Sequence, residues 1–180
     1  MGAVRGILGG ALITVVAVGT WRRVTALLVY SVAAGAGLAG ILQGWFGVLQ
    51  GDYLANAGVI ALTLLGIGSI IVGFSSIVGR VGAAIGPVLF LLVANPISSA
   101  TAPLELLPKP WGLVGQWFPP GAAATLLRDL SYFPHAPMAF PWLVLGGWAV
   151  VGLALSIVGH LRTQVVASTV EEPDPAIALA

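Results

Sequence analysis

The chain contains no cysteine and very little charge. Charged residues make up 7% of its 180 residues, whereas a soluble domain carries about 25%. The absence of cysteine excludes disulfides, thiolate catalysis and zinc bound by cysteine. The net charge of +1 is too small to favour a nucleic-acid partner. So little charge cannot cover a protein surface in water, and it indicates a chain whose main partner is the lipid bilayer.

Apolar residues are abundant and come in long runs. Hydrophobic residues make up 58% of the chain, and its mean hydropathy is +1.04. A membrane-spanning helix needs about 20 mainly apolar residues. The sequence predicts an all-α membrane protein, with a polytopic bundle of about five transmembrane helices within residues 1–162. The predicted spans are about 6–20, 24–49, 56–78, 81–95 and 140–161.

The fourth apolar run is short, because helical character is lost at Asn95 and Pro96. The segment 96–139 that follows is rich in proline, glycine and tryptophan. Proline ends helices or starts them, since its φ is fixed and it has no N–H. We therefore expect the segment between the last two spans to be broken into short helical pieces.

One such piece opens at Pro119, Pro120 and Gly121, because prolines are well placed in the first turn of a helix. This piece has two interpretations. It is either an amphipathic helix that lies in the membrane interface, or one of a pair of short re-entrant helices. Re-entrant helices are tolerated at membrane depth only when they are buried against protein. Both interpretations place a re-entrant or interfacial helical segment before the last span.

Basic residues predict the orientation of the chain. Arg22, Arg23, Arg80 and Arg162 fall at span ends that share one side, and arginines in short loops favour the cytoplasmic side. We expect a multi-pass protein of the cytoplasmic (inner) membrane, with its N-terminus outside and its C-terminus in the cytoplasm. The tail 163–180 combines acidic residues with prolines and is predicted to be disordered.

The predicted spans contain no Asp, Glu, Lys or Arg, which disfavours an ion-coupled transporter, because intramembrane charge usually marks ion or proton coupling. Ser75, Ser76 and His160 supply the residue types of a serine–histidine pair, so an intramembrane hydrolase is a remote alternative. Hydroxyls that bond to carbonyls of their own helix are the simpler explanation of the serines. We predict no enzymatic activity, no catalytic residue, no metal and no cofactor.

Small residues recur four positions apart in several spans. The pairs are Gly6 with Gly10, Gly40 with Gly44, Gly82 with Gly86, and Ser69 with Gly73. Such pairs let two helix backbones approach closely in lipid. Packing within the bundle is the main interpretation, and a specific dimer face is the alternative.

Three stretches around the helix break resemble a known family. They are Asn95-Pro96-Ile97-Ser98, Ala102-Pro103-Leu104-Glu105-Leu106-Leu107-Pro108, and Trp117-Phe118-Pro119-Pro120-Gly121-Ala122 running to Leu127-Arg128. The pattern resembles the C-terminal half of the membrane domain of type-2 ABC transporter permeases. Within these exporters it is most similar to the actinobacterial branch related to the phage-infection-protein family. The resemblance is best over residues 81–162.

This resemblance implies a permease half of six spans, two halves per exporter, and an outer re-entrant pair before the last span. The chain has no Gly-rich phosphate-binding loop, so a separate ATPase subunit would drive export. A second permease half or a homodimer partner would complete the exporter. One further upstream span would complete this half. The exported substrate would be hydrophobic or amphipathic.

The predicted site follows from the same resemblance. Asn95 and Pro96 mark the helix break, and Pro119, Pro120 and Gly121 start the re-entrant helix. We expect Glu105 and Arg128 to be charges of an outer gate, and Arg22 and Arg23 to face the ATPase. The alternative function is a non-transporting membrane interaction or scaffold protein, which would use its glycine-lined faces to bind another membrane subunit.

Overall fold

The computed structural model describes residues 20–79, 81–101 and 103–170. The predicted first span, about 6–20, lies outside these ranges except for Thr20. Within the described ranges the regular structure is helical and contains no strand, in agreement with the predicted all-α membrane fold. In chain order the helices are α1 (Thr20–Ala39, continued by a π-helical segment Gly40–Trp45), α2 (Tyr53–Val78), α3 (Gly82–Pro87, continued by a π-helical segment Val88–Ala94), a 3₁₀ turn (Leu104–Leu106), α4 (Trp111–Gly115), α5 (Pro119–Tyr132) and α6 (Ala139–Val170).

Helix α2 is the centre of the bundle. It begins where the Asp52 carboxylate accepts a hydrogen bond of 2.7 Å from the Ala55 N–H, and it ends at Gly79, whose φ of 71° suits glycine. Apolar side chains point to every side of this helix, as is typical of a central or membrane-spanning helix. Half of its residues, including Val59, Ile67 and Ile71, are buried.

Helices α1 and α6 cover two flanks of α2. A Cβ at Gly68 of α2 would overlap the Leu27 side chain of α1, and α1 runs antiparallel to α2. Helix α6 runs parallel to α2, because Gly66 lies beside Trp148 and Ser76 lies beside Gly159. Three segments are long and apolar enough to cross a membrane, namely Trp21–Trp45, Tyr53–Val78 and Ala139–Arg162.

Helices α3 and α5 share the third flank of α2, each over about half of its length. Gly82 and Gly86 of α3 pack on Phe74 and Ile71 of α2, towards the end of α2. Ala122 and Leu126 of α5 pack around Val59, towards the start of α2. We call the end of the bundle at which α2 starts the hairpin end, and the opposite end, which carries Trp21, Arg22, Arg23 and Arg162, the arginine end.

The element boundaries differ from the predicted ones at three places. Trp21, Arg22 and Arg23 are helical residues at the start of α1, where the sequence suggested an interruption. The second predicted span, 24–49, ends at Trp45, because the chain turns back towards α2. Helix α6 continues to Val170, so eight residues predicted to belong to a disordered tail are helical. Residues 171–180 lie outside the described ranges.

The small residues mostly serve packing within the bundle, as the main interpretation predicts. Gly82 and Gly86 contact α2, and Gly73 contacts the backbone of Gly152 and the side chain of Leu155 in α6. Gly44, by contrast, has open space where a Cβ would stand. Gly6 and Gly10 lie outside the described residues.

The hydroxyl side chains of α2 donate to carbonyls of their own helix, and this expectation is confirmed. Thr63 donates to the Val59 carbonyl at 2.7 Å, while Ser75 and Ser76 both donate to the Val72 carbonyl at 2.8 Å. Ser69 donates to the Gly66 carbonyl at 3.1 Å and lies 3.5 Å from the Ala149 carbonyl of α6. Each hydroxyl is thereby satisfied without a polar pathway through the helix.

Candidate functional site

The break at the end of α3 lies about halfway along α2. Ala94, the last residue of α3, packs in one cluster with Ile67 and Phe90. The π-helical register starts directly after Pro87, which cannot donate a backbone hydrogen bond, and it ends where the Asn95 N–H donates to the Phe90 carbonyl at 2.9 Å. Helix α3 therefore covers roughly 20 Å, at about 1.5 Å per residue, and stops near the middle of the bundle.

Asn95 and Pro96 have exposed side chains at this break, and the turn after them is held by Ser98. The buried Ser98 hydroxyl donates to the Asn95 carbonyl at 2.7 Å and accepts from the Ala100 N–H at 3.4 Å. Ser99 has a φ of 52°, an uncommon value for a residue other than glycine. The chain reverses here and returns towards the hairpin end.

Helices α4 and α5 form a re-entrant pair whose tip, Trp117-Phe118, lies level with the middle of α2. Trp148 fixes this depth, because it lies beside Gly66 of α2. The Trp148 indole N–H donates to the Trp117 carbonyl at 2.7 Å, and its ring stacks on Phe118 with centroids 5.6 Å apart. Phe90 of α3 meets the same indole edge-on at 5.5 Å. Trp148 thus joins the tip, the end of α3 and the centre of α2.

The start of α5 is buried and packed through backbone atoms. Pro119, Pro120 and Gly121 are all buried. Phe118, the residue before α5, provides no side-chain cap, and prolines at the first positions need none because they have no N–H to satisfy. A Cβ at Gly121 would overlap the Gly115 carbonyl of α4. The predicted helix start is correct, and its glycine permits the close approach of α4.

From this tip α5 runs outward between α2 and α6. Its buried residues Ala122, Ala123 and Leu126 form a cluster with Val59 of α2 and with Val144 and Leu145 of α6. A helix lying on the surface of the membrane would not be enclosed by two spanning helices in this way. The arrangement fits the second interpretation, in which a re-entrant helix is buried against protein.

The C-terminal end of α5 is hydrogen-bonded to the turn between α1 and α2. The Tyr132 hydroxyl donates to the Val48 carbonyl, and the Gln50 N–H donates to the Ser131 hydroxyl at 3.1 Å. Asn56, in the first turn of α2, also holds this turn. Its side-chain amide donates to the Gln50 carbonyl at 2.9 Å and to the Gln43 side chain at 3.2 Å. These bonds connect the re-entrant helix to the α1–α2 pair.

A polar network links the helix break to both members of the re-entrant pair. Thr125 of α5 donates to the Gln116 side-chain oxygen at 2.7 Å, and the Gln116 amide donates to the Ser99 hydroxyl at 3.4 Å. Arg128 donates to the Ser99 carbonyl at 3.4 Å. Each of these residues is partly or fully buried. The network brings the predicted residue Arg128 into contact with the turn that follows Asn95 and Pro96.

Glu105 and Arg128, the two predicted gate charges, are not brought together. Glu105 is exposed in the 3₁₀ turn, whereas the Arg128 guanidinium contacts Ser99, and among the described residues no ion pair connects the two. Asp129 follows Arg128 near the end of α5. Burial raises the pKa of the Asp129 carboxyl above its ordinary value, and the neighbouring Arg128 charge opposes that rise.

Arg22 and Arg23 lie at the arginine end, beside a contact between α1 and α6. The Trp21 ring meets the His160 ring edge-on, with centroids 6.2 Å apart. Arg22 is exposed and Arg23 is half-buried. The described part of the chain contains no cluster of His, Cys, Asp or Glu side chains that could hold a metal ion.

Sequence reasoning missed Trp148, Ser99, Gln116 and Thr125. Trp148 sits in the middle of an apolar span rather than at an interface, where tryptophan is usually expected in membrane proteins. Gln116 is a polar residue beside the predicted helix break. The unusual positions of Trp148 and Gln116 are visible in the sequence, but their hydrogen-bond partners are known only from the fold.

No family model, curated protein or solved structure matches this chain in the comparisons. The resemblance to type-2 ABC permeases therefore stays a prediction from the quoted motifs.

Proposed function

We propose that this chain is a permease-like membrane subunit of an ABC-type exporter, driven by a separate ATPase. The observation that carries the proposal is the re-entrant pair before the last span, with its tip beside the end of α3 at half the depth of α2. An irregular backbone at membrane depth is tolerated only where it is buried in protein or lines a cavity. Its presence in an otherwise apolar bundle favours a transport role.

The proposed mechanism is an alternating rearrangement of this half against a second permease half or a second copy of the chain. Helices α3 and α5 each cover half of α2, so their junction is the natural place for a barrier to open. The Ser99–Gln116–Thr125 bonds hold that junction closed. The surrounding surface is mainly apolar, which suits a hydrophobic or amphipathic substrate. Arg22 and Arg23 are the proposed contacts with the ATPase.

Co-purification tests this proposal. Full-length tagged protein extracted from its native membrane should bring a nucleotide-binding subunit with it. Exchange of Arg22 and Arg23 for glutamate should lower the amount of that subunit severalfold, because two cations are replaced by two anions at the contact. Lys109→Glu is the matched control at the hairpin end and should change nothing. A preparation without any nucleotide-binding subunit, unaffected by the arginine exchange, contradicts the exporter proposal.

The proposed orientation places the arginine end in the cytoplasm, the hairpin end outside the cytoplasmic membrane, the N-terminus outside and the C-terminus inside. Arg22, Arg23 and Arg162 share one end of the bundle, which supports it by the bias of basic residues towards the cytoplasm. The chain has no native cysteine, so single cysteines report cleanly. In whole cells an impermeant maleimide should label Lys109→Cys and spare Thr163→Cys; the opposite pattern refutes the orientation.

The second candidate function is a non-transporting scaffold that binds another membrane subunit. It is favoured by Gly37 and Gly44 of α1 and by Gly146 and Gly147 of α6, since no atom lies within 4 Å of the Cβ position at any of them. Such open glycine faces allow a second helix to approach closely. A membrane partner without nucleotide-binding motifs, lost in Gly147→Leu but retained in Arg22→Glu, would favour this function over export.

A further inference from the structure

An apolar groove opens between α1 and α6 at the arginine end. It is lined by Trp21 and Val24 of α1 and by Leu153, Ile157 and His160 of α6, and it encloses about 150 Å³. A dry apolar cavity of about this volume holds a benzene-sized molecule. The groove therefore has room for a short stretch of hydrocarbon chain.

The mouth of the groove is framed by two aromatic rings with polar tips. Trp21 and His160 meet edge-on there, and Trp21 is 62% exposed. Tryptophan and histidine place an apolar body against hydrocarbon and a polar tip towards headgroups. Trp21 and Arg162 are also the first and last residues of two candidate spans. The groove thus lies just inside the level at which lipid headgroups begin.

The charges around this mouth have one sign. Arg22 and Arg23 follow Trp21 directly in α1, and Arg162 comes two residues after His160 in α6. The acidic residues of the described ranges lie at the hairpin end, where Asp52 caps α2, Glu105 is in the 3₁₀ turn and Asp129 is near the end of α5. The arginine end is therefore electropositive beside an opening of lipid size.

We propose that this groove binds an anionic phospholipid, with part of one acyl chain between α1 and α6 and the phosphate among Arg22, Arg23 and Arg162. Basic pockets between transmembrane helices recognise anionic headgroups, and a polybasic surface attracts acidic lipids by about 1 kcal/mol for each cation. The apolar groove selects a lipid over a soluble phosphate, and the arginines select an anionic lipid over a zwitterionic one.

Native mass spectrometry of the full-length protein in mild detergent tests the charge requirement. The probes are phosphatidylglycerol and phosphatidylcholine with identical acyl chains. The wild-type protein should retain one phosphatidylglycerol in preference to phosphatidylcholine. Arg22→Gln and Arg162→Gln should each weaken the binding of phosphatidylglycerol about fivefold, the equivalent of about 1 kcal/mol per cation. Lys109→Gln, at the hairpin end, is the matched control and should bind as the wild type does.

A second pair of variants tests the groove. Leu153→Trp fills the space between the helices and should abolish the preferred adduct, whereas Val150→Trp lies on the same helix at a 66% exposed position outside the groove and should leave it unchanged. Both variants keep all arginines. Thermal unfolding of each variant shows whether the bundle is intact, so that lost binding is read only from folded protein.

Three results overturn the proposal. Equal retention of the two lipids shows that charge plays no part, and displacement by millimolar inorganic phosphate shows that the groove is not needed. The acidic tail of this chain is the rival occupant of the arginines. If phosphatidylglycerol binds only after Glu171 and Glu172 are both changed to glutamine, the tail, rather than lipid, covers them.

Discussion

Helix α2 meets its neighbours in two different ways. Against α6 it forms one parallel contact that runs from Gly58 beside Trp142 to Ser76 beside Gly159. Against α3 and α5 it meets two half-length helices, which are joined at their junction by loop carbonyls, one indole N–H and a few polar side chains. The α2–α6 contact continues along both helices and is close backbone packing from Gly66 to Ser76, whereas the α3–α5 flank contains a break in the middle of the bundle.

The difference indicates which part of the bundle holds the fold and which part can rearrange. Small residues between Gly66 and Ser76 let the backbones of α2 and α6 approach closely, so that many dispersion contacts act together there. If the broken flank opens, backbone N–H and C=O groups at the break lose their hydrogen-bond partners. Polar side chains of the flank must then replace those partners. Four substitutions, taken from the largest expected effect to the smallest, test this division.

Gly152→Leu should disrupt the continuous contact. A Cβ at this position would overlap the Ser69 hydroxyl and the α2 backbone, so α6 must move away. We expect a loss of about 3 kcal/mol or more in the free energy of unfolding, since overpacking typically costs about 1–3 kcal/mol even when neighbours relax. Thermal unfolding in detergent measures it. Gly147→Leu, with open space at its Cβ, is the control, and equal effects of the two would show that this contact does not hold the fold.

Gly115→Leu should displace the re-entrant pair and leave the bundle folded. The new side chain would overlap the Ile97 carbonyl, at the point where α4 meets the turn after the helix break. We expect a cysteine at Phe118 to become accessible to a water-soluble maleimide in this background, with a smaller loss of stability than for Gly152→Leu. A Cβ at Gly112 would meet Leu104 and Leu107 at 3.0 Å or more, without the overlap found at Gly115, so Gly112→Ala is the milder control. Unchanged labelling at position 118 would contradict this role of Gly115.

Trp148→Phe should loosen the tip. It keeps a ring against Phe90 and Phe118 but removes the indole N–H that donates to the Trp117 carbonyl at 2.7 Å. A hydrogen bond contributes about 0.5–1.5 kcal/mol net, and the smaller ring also loses packing, so we expect destabilisation towards the upper end of that range. Trp142→Phe is the matched control, because no side-chain hydrogen bond of Trp142 holds the tip. Equal unfolding temperatures for the two variants would show that the hydrogen bond from Trp148 to Trp117 does not stabilise the tip.

Thr125→Val should have the smallest effect on stability. It preserves the shape of the side chain and removes the donor to Gln116, a net contribution of about 1 kcal/mol. The effect on export, if the proposed function is right, should be larger than this change implies, because the bond joins α5 to α4 across the junction. Transport by reconstituted exporter reads it out. Thr63→Val, whose hydroxyl bonds only within α2, is the control.

The long apolar spans and the position of the helix break could be predicted because both depend on local chemistry. About 20 apolar residues define a span, and Pro119 with Pro120 defines a helix start. The end of α1 and the length of α6 were harder to predict from the sequence. Apolar residues continue beyond Trp45, and helical residues continue beyond Arg162. The level of the tip within the bundle could not be predicted from the sequence, because it is set by Trp148, which stands 30 residues away in the chain from Phe118.

The pairing of Gln116 with Thr125 and Ser99 was equally inaccessible, although each residue type is ordinary in a loop. Their contact depends on the reversal at Ser99, which brings the turn after Asn95 back against α4. The separate positions of Glu105 and Arg128 were inaccessible for the same reason. The resemblance implied only that both are gate charges, whereas the fold directs Arg128 to Ser99 and leaves Glu105 in an exposed turn.

The hydrogen bonds between the α1–α2 turn and the end of α5 couple movements of α1 to movements of the re-entrant helix. Its helical backbone runs from Arg22 at the arginine end to Trp45 at the hairpin end, roughly 35 Å at about 1.5 Å per residue. Beyond Trp45 the turn is tied to α5 through Val48 with Tyr132 and through Gln50 with Ser131. A displacement of α1 at the arginine end must therefore either break these two hydrogen bonds or move the re-entrant helix. Movement at one end of the bundle is in this way transmitted to the other end.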